Sequence, residues 1–193
     1  MQTVKIVVLV GPPGAGKGTQ AQRLVQSHGA YQLSTGEIFR RHVRDKTDVG
    51  LKISEIMESG QLVPDPMTVE VLKLELSGAK EGLVLLDGFP RNVNQAETLE
   101  QHGLNVELVV HFDMQFGDLE KRIQKRSAEL GRVDDAPGKF KIRMGVYEKD
   151  TKPILAYYQK LGLYRRIDGM QSEDEVFKQF LDLVADQKLI DRI

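Results

Sequence analysis

One stretch near the start of the chain, Gly11-Pro12-Pro13-Gly14-Ala15-Gly16-Lys17-Gly18-Thr19, constrains the fold more than any other. An apolar run over 4–10 precedes it and a helix-patterned segment over 20–27 follows it. Strand, glycine-rich turn and helix in that order make a phosphate-binding loop. The glycines leave backbone N–H groups free to converge on phosphate oxygens. The helix N-terminus adds partial positive charge, and Lys17 brings a flexible point charge for the outer phosphates. One position departs from the general pattern G-x-x-x-x-G-K-[ST], in which the hydroxyl after the lysine ligates Mg²⁺. Here Gly18 stands there, and the hydroxyl comes one residue later at Thr19.

The remaining constraints are broad. A length of 193 residues suits one domain with insertions. A formal net charge of −1 offers no global basic field for nucleic acid or an anionic membrane, so an anion site has to come from local clustering of Arg and Lys. The absence of cysteine excludes disulfides, thiolate metal sites and a cysteine nucleophile. The apolar run before the loop is too short for a signal peptide or a membrane span. A soluble, cytoplasmic protein is expected, with no nucleic-acid or membrane partner.

Strands are expected at 4–10, 31–33, 83–86, 106–112 and 163–167, and helices at 20–27, 36–45, 49–59, 66–76, 93–102, 116–130, 139–161 and 172–187. Mostly apolar strands separated by helical stretches imply an α/β fold of three layers with a parallel sheet and ligands at the carboxyl ends of its strands. The three helices between the second and third strands exceed what one crossover needs and point to a helical insertion. Pro153 is expected to break or kink the long helix.

Three further motifs carry charge toward the expected site. Asp87-Gly88-Phe89-Pro90-Arg91 places an acid at the end of a buried strand, where it can hold Mg²⁺ directly or through water; a simple Asp-Gly turn is the plainer reading. Ser34 or Thr35 can cap the helix that carries Arg40, Arg41 and Arg44, of which 40 and 44 share a face that an anion or solvent would cover. Arg126, Arg132 and Arg143 surround Gly131-Arg132-Val133-Asp134-Asp135, where Asp135 is a candidate N-cap with Pro137 in the first turn. Arginine in a glycine-containing turn suits a mobile phosphate clamp.

Together with Leu33-Ser34-Thr35-Gly36-Glu37, Gln61-Leu62-Val63-Pro64 and Gln95, these motifs resemble the adenylate kinases, P-loop nucleoside monophosphate kinases, over nearly the full length. The resemblance implies ATP + AMP ⇌ 2 ADP with Mg²⁺, a sheet of five parallel strands, an AMP-binding insertion over 34–63, a short lid over 126–136 and a monomer. It assigns Lys17, Asp87, Arg91, Arg126, Arg132 and Arg143 to catalysis. ATP is assigned to Gly14, Ala15, Gly16, Lys17, Gly18, Thr19, Arg126 and Gln171. AMP is assigned to Thr35, Arg40, Gln61, Leu62, Val63, Gly88, Phe89, Pro90, Arg91, Gln95, Arg132 and Arg143. No side chain is assigned to Mg²⁺ as a direct ligand; the ion is expected through water near Thr19 and Asp87. The cysteine-free short lid implies no zinc. Glu37 departs from the commoner aspartate, and Pro137-Gly138 from more acidic, helix-favouring residues. A UMP/CMP kinase on the same fold is the nearest alternative, which Thr35 and Gln95 disfavour, and a non-catalytic nucleotide-binding scaffold is a second.

Overall fold

The computed structural model describes residues 4–78, 82–135 and 138–190. The strand β1 (Val4–Val10) runs through the middle of the molecule, and Ile6 to Val10 are all buried. A strand covered on both faces has no need of alternating polar residues, which is why this segment is continuously apolar. After the phosphate loop come α1 (Lys17–His28) and β2 (Tyr31–Ser34), then three helices in series, α2 (Thr35–Arg44), α3 (Asp48–Ser59) and α4 (Asp65–Gly78). The chain continues through β3 (Gly82–Asp87), α5 (Val93–Gln101), β4 (Val106–Asp113) and α6 (Phe116–Leu130). It ends with α7 (Lys139–Val146), α8 (Pro153–Lys160), β5 (Tyr164–Asp168) and α9 (Glu173–Asp186).

The five strands form one parallel sheet in the order β2-β3-β1-β4-β5. The registers Leu9–Asp87 and Ser34–Asp87 bring the carboxyl ends of β1, β3 and β2 to one edge. On that edge lie the phosphate loop after β1, Thr35 after β2 and Gly88 after β3. Helices α1 and α9 pack on each other, as do α5 and α8, and α3 packs against α2 and the 3₁₀ turn Val133–Asp135. The core is mostly apolar, with Phe112 and Phe180 in edge contact at 5.7 Å and a few buried polar side chains such as His111 on β4. No helix among the described residues is long and apolar enough to cross a membrane.

The helix starts follow local chemistry. Ser34 accepts a hydrogen bond from the Glu37 N–H at the start of α2, and Asn92 accepts one from the Gln95 N–H at the start of α5. Ser172 and Glu175 form a reciprocal capping box at α9. The helix expected over 139–161 is interrupted, as Pro153 implied: α7 passes into a π turn, Tyr147–Thr151, and α8 begins at Pro153. Pro153 has no N–H for the helical ladder, so the break falls where the sequence places it, and the turn before it widens. One expectation is corrected: Asp135 is not an N-cap. Gly138 precedes α7 in a left-handed conformation with φ 85°, while Asp135 lies in the preceding 3₁₀ turn. Pro137, expected in the first turn, lies outside the described residues, as does Ala136 in the expected lid.

Leu86 is fully buried on β3, one residue before the acid at the strand end. Leu86→Ala is expected to cost about 3 kcal/mol, measured as a lower urea midpoint with an unchanged m-value.

Candidate active site

Gly16 supplies the backbone turn from which the site is built. It precedes α1 with φ 84°, a left-handed conformation that other residues adopt only at a cost. Lys17 follows at the helix start, and its Nζ donates to Gly11 O at 2.8 Å and Pro12 O at 3.1 Å. The side chain therefore curls back along the loop. Burial lowers the Lys17 pKa to about 8, with Asp87 pulling it up and Arg91, Arg126 and Arg143 pushing it down further. The neighbouring strands β1 and β3 thus set a cation and an acid side by side. Gly18 lies between them: a Cβ built there would stand 3.6 Å from Asp87 Oδ2. Glycine at this position keeps the space between loop and acid open.

That space belongs to a cavity of about 530 Å³. Gly14, Ala15, Gly16, Lys17, Gly18 and Thr19 of the loop line it, together with Asp87 and with Arg126, Arg132 and Arg143. A smaller cavity, about 50 Å³, opens beside it between α2, α3 and the β3 end. Thr35, Gln61, Leu62, Val63 and Gln95 line it, with Phe39 and Met57 adding apolar surface and Thr68 beside them. Arg40, Gly88, Arg91 and Arg143 border both cavities. Thr35 donates its hydroxyl to Gly88 O at 2.9 Å, and a Cβ at Gly88 would stand 2.8 Å from that hydroxyl, so the turn admits only glycine at this approach.

The arginines are held by three carboxylates. Arg126 makes a bidentate pair with Asp135, Nε to Oδ2 at 2.6 Å and Nη2 to Oδ1 at 2.8 Å. Arg143 pairs with Asp135 and, at 3.0 Å, with Asp134. Arg40 donates to Asp134 at 3.1 Å and to Glu37 at 2.8 Å, and Arg132 also pairs with Glu37. Burial alone would push the Asp134 carboxyl up, but Arg143 and Arg40 bring it below the usual carboxylate range. Glu37 is also drawn below its usual range, burial being outweighed by Arg40 and Arg132. Arg91 stands apart, donating its Nε to the neutral Gly88 O at 3.0 Å; burial and Arg143 lower its pKa to about 10.

Not every expected residue gathers here. Phe89 is a core side chain, 1% exposed, joined by a cis peptide to Pro90. Pro90 lines a third cavity of about 60 Å³ behind the loop, with Lys17, Arg91, Arg143 and Tyr147. Gln171 is exposed after β5, accepts from Gln179 at 2.7 Å and borders none of these cavities. Arg44 does border the larger cavity with Arg40 and Arg41; its Nε pairs with Asp45 at 3.0 Å, while Arg40 also reaches Asp134 in the lid turn. Sequence reasoning missed Asp134 and Asp135 as the organisers of the arginines. Two acids beside Arg132 were the available signal, but their partners lie on three different helices. Among the described residues no three His, Asp or Glu side chains gather for a metal ion. Asp87 and the exposed Thr19 border the larger cavity, which fits an Mg²⁺ that brings water and phosphate oxygens as most of its ligands.

Residues 9–163 match the family model described as adenylate kinase. Curated relatives named adenylate kinase include one from Methylorubrum populi, 43% identical over 88% of this chain and 90% of its own length. One from Phenylobacterium zucineum is 42% identical over 88% of this chain and 92% of its own length. Another from Thermus thermophilus is 40% identical over 92% of this chain and 95% of its own length.

The Asp135 side chain is fully buried between two arginines. Asp135→Asn leaves Arg126 without its carboxylate partner and Arg143 with Asp134 alone, and is expected to cost about 3 kcal/mol, measured by chemical denaturation.

Proposed function

The chain belongs to the adenylate kinase family and is an ATP:AMP phosphotransferase; we propose that it transfers the phosphoryl group directly and in line between nucleotides held in its two adjoining cavities. The observation that carries this reading is the shared border: Arg91 and Arg143 face both the loop cavity and the smaller cavity. A group passing between two anions needs cations at that border, because the charge of the transition state is spread over the transferring oxygens.

The backbone N–H groups of Gly14 to Thr19 and the Lys17 ammonium hold the ATP phosphates. Arg126, Arg132 and Arg143 gather around the transferring group. Thr35, the backbone of Gln61, Leu62 and Val63, and the Gln95 amide hold the AMP base and ribose, while Arg40 and Arg91 hold its phosphate. Gly88, Phe89 and Pro90 shape the backbone between them, and Gln171 offers its backbone to the ATP base. Mg²⁺ bound with ATP, near Asp87 and Thr19, neutralises phosphate charge. No covalent enzyme intermediate is required, since an AMP phosphate oxygen is already a nucleophile. Catalysis is then positioning and preorganised charge.

The insertion over 34–63 and the lid over 126–136 close around both substrates, which excludes water as a competing acceptor. The pairs Arg40–Asp134 and Arg132–Glu37 join these two segments and support this reading. The protein acts as a monomer in the cytoplasm with ATP, AMP and ADP as its partners.

Lys17→Met and Arg91→Ala are each expected to reduce kcat by about 30- to 1000-fold, the loss of one transition-state contact worth about 2–4 kcal/mol, with unchanged melting temperature. Near-normal turnover in both would refute the assignment. Phosphate favours charged Lys17, whose pKa here is about 8. Below that pH the ammonium is already formed; above it, binding must take up a proton. The KM for ATP is therefore expected to rise as pH climbs above about 8, checked by a KM profile at fixed ionic strength.

A further inference from the structure

The orientation of one buried amide in the smaller cavity is fixed from outside the cavity. Gln95 is 2% exposed on α5 and lines that cavity. Its Oε1 accepts from the Arg91 N–H at 2.7 Å, and its Nε2 donates to Asp65 Oδ1 at 2.6 Å. Asp65 is the first residue of α4 and does not line the cavity. The same carboxylate also accepts from Asn92 Nδ2 on both oxygens, at 3.0 and 3.1 Å, and from Asn94 Nδ2 at 3.0 Å. Asn92 in turn accepts the Gln95 N–H at 2.8 Å. The starts of α4 and α5 are thereby tied together, and Gln95 sits within that tie.

A glutamine amide has two orientations of nearly equal shape, and its partners decide between them. A carboxylate can only accept and a peptide N–H can only donate. Reversing the Gln95 amide would set its carbonyl against Asp65 and its NH₂ against the Arg91 N–H, creating two repulsive contacts in a buried site. The amide is therefore held one way round. One Nε2–H and one Oε1 lone pair remain for a ligand, in a fixed order.

That order distinguishes bases. A 6-aminopurine presents a ring-nitrogen acceptor at N1 beside an amino donor, matching a donor-then-acceptor edge. A 6-oxopurine presents an N1–H donor beside a carbonyl acceptor, the reverse, and would be matched only by a flipped amide. We infer that Asp65 is a positioning residue for acceptor specificity: by locking the Gln95 amide it selects 6-amino over 6-oxo purine monophosphates without touching the base. This inference rests on the assignment of the smaller cavity to AMP.

The test compares AMP with IMP, which share ribose, phosphate and ring size but differ at the purine 6-position and N1 proton. Steady-state kcat/KM with ATP and Mg²⁺ is measured for the wild-type chain, Asp65→Ala, Asp65→Asn and Asn94→Ala, each checked by thermal melting. The AMP-to-IMP ratio is expected to fall about tenfold in Asp65→Ala, the discrimination of one good bidentate contact, through KM with little change in kcat for AMP. Asp65→Asn, which can donate as well as accept, is expected to fall in the same direction by less. Asn94→Ala removes a donor to Asp65 without touching Gln95 and is expected to leave the ratio unchanged. If Asp65→Ala does not fold, Asp65→Asn carries the test. A folded Asp65→Asn that loses activity toward both acceptors at a constant ratio, or one that does not fold at all, gives Asp65 a purely structural role and overturns the inference. A wild-type chain that uses neither acceptor instead overturns the AMP assignment, and this inference with it.

Discussion

Like charges crowded at the carboxyl edge of the sheet repel one another, and this site cannot be assembled unless that repulsion is opposed. Arg40, Arg126, Arg132 and Arg143 come from α2, α6, the lid turn and α7, and Glu37, Asp134 and Asp135 hold them in place. Burial and neighbouring arginines lower the pKa values of Arg143 and Arg132 even so. The carboxylates do more than neutralise. The bidentate Asp135–Arg126 pair fixes a guanidinium plane, and a fixed cation needs little reorganisation when charge develops beside it. A chain with a net charge of −1 can therefore build a cationic pocket, because the positive groups are concentrated around the larger cavity and are paired with a few acids.

The sheet order supplies the rest of the arrangement. Because β3 lies between β2 and β1, Thr35, Gly88 and the phosphate loop reach a common edge. The larger cavity collects the loop and Asp87, and the smaller one collects Thr35 and Gln95. Gly18, a departure from the general loop pattern, keeps the space beside Asp87 open instead of placing a hydroxyl there. Asp87 stands as the strand-end acid at the same cavity.

Where local chemistry decides, the sequence was readable. The continuous apolar run of β1 is observed with the bounds expected for it, and every other strand agrees within a residue. Pro153 announced the break in the long helix because it removes a donor wherever it stands. The π turn before it was not readable, since nothing in Tyr147–Thr151 distinguishes a widened turn from a regular one. Asp135 misled for a related reason. Its position suited a cap, but two arginines on different helices offered stronger partners for a buried carboxylate. At Asp135 a local preference was overridden by partners on other helices, and the tie between Asp65 on α4 and Gln95 on α5 likewise joins two elements.

The central claim is that two nucleotides meet across Arg91 and Arg143 and exchange a phosphoryl group without an intermediate on the protein. A single-turnover reaction of the chain with Mg²⁺, unlabelled AMP and ATP labelled at its γ-phosphate tests this most directly. The account predicts that the label appears as the β-phosphate of ADP formed from AMP, with none on the protein and little in inorganic phosphate. Label on the protein, or label released as inorganic phosphate at the same rate with and without AMP, would contradict it.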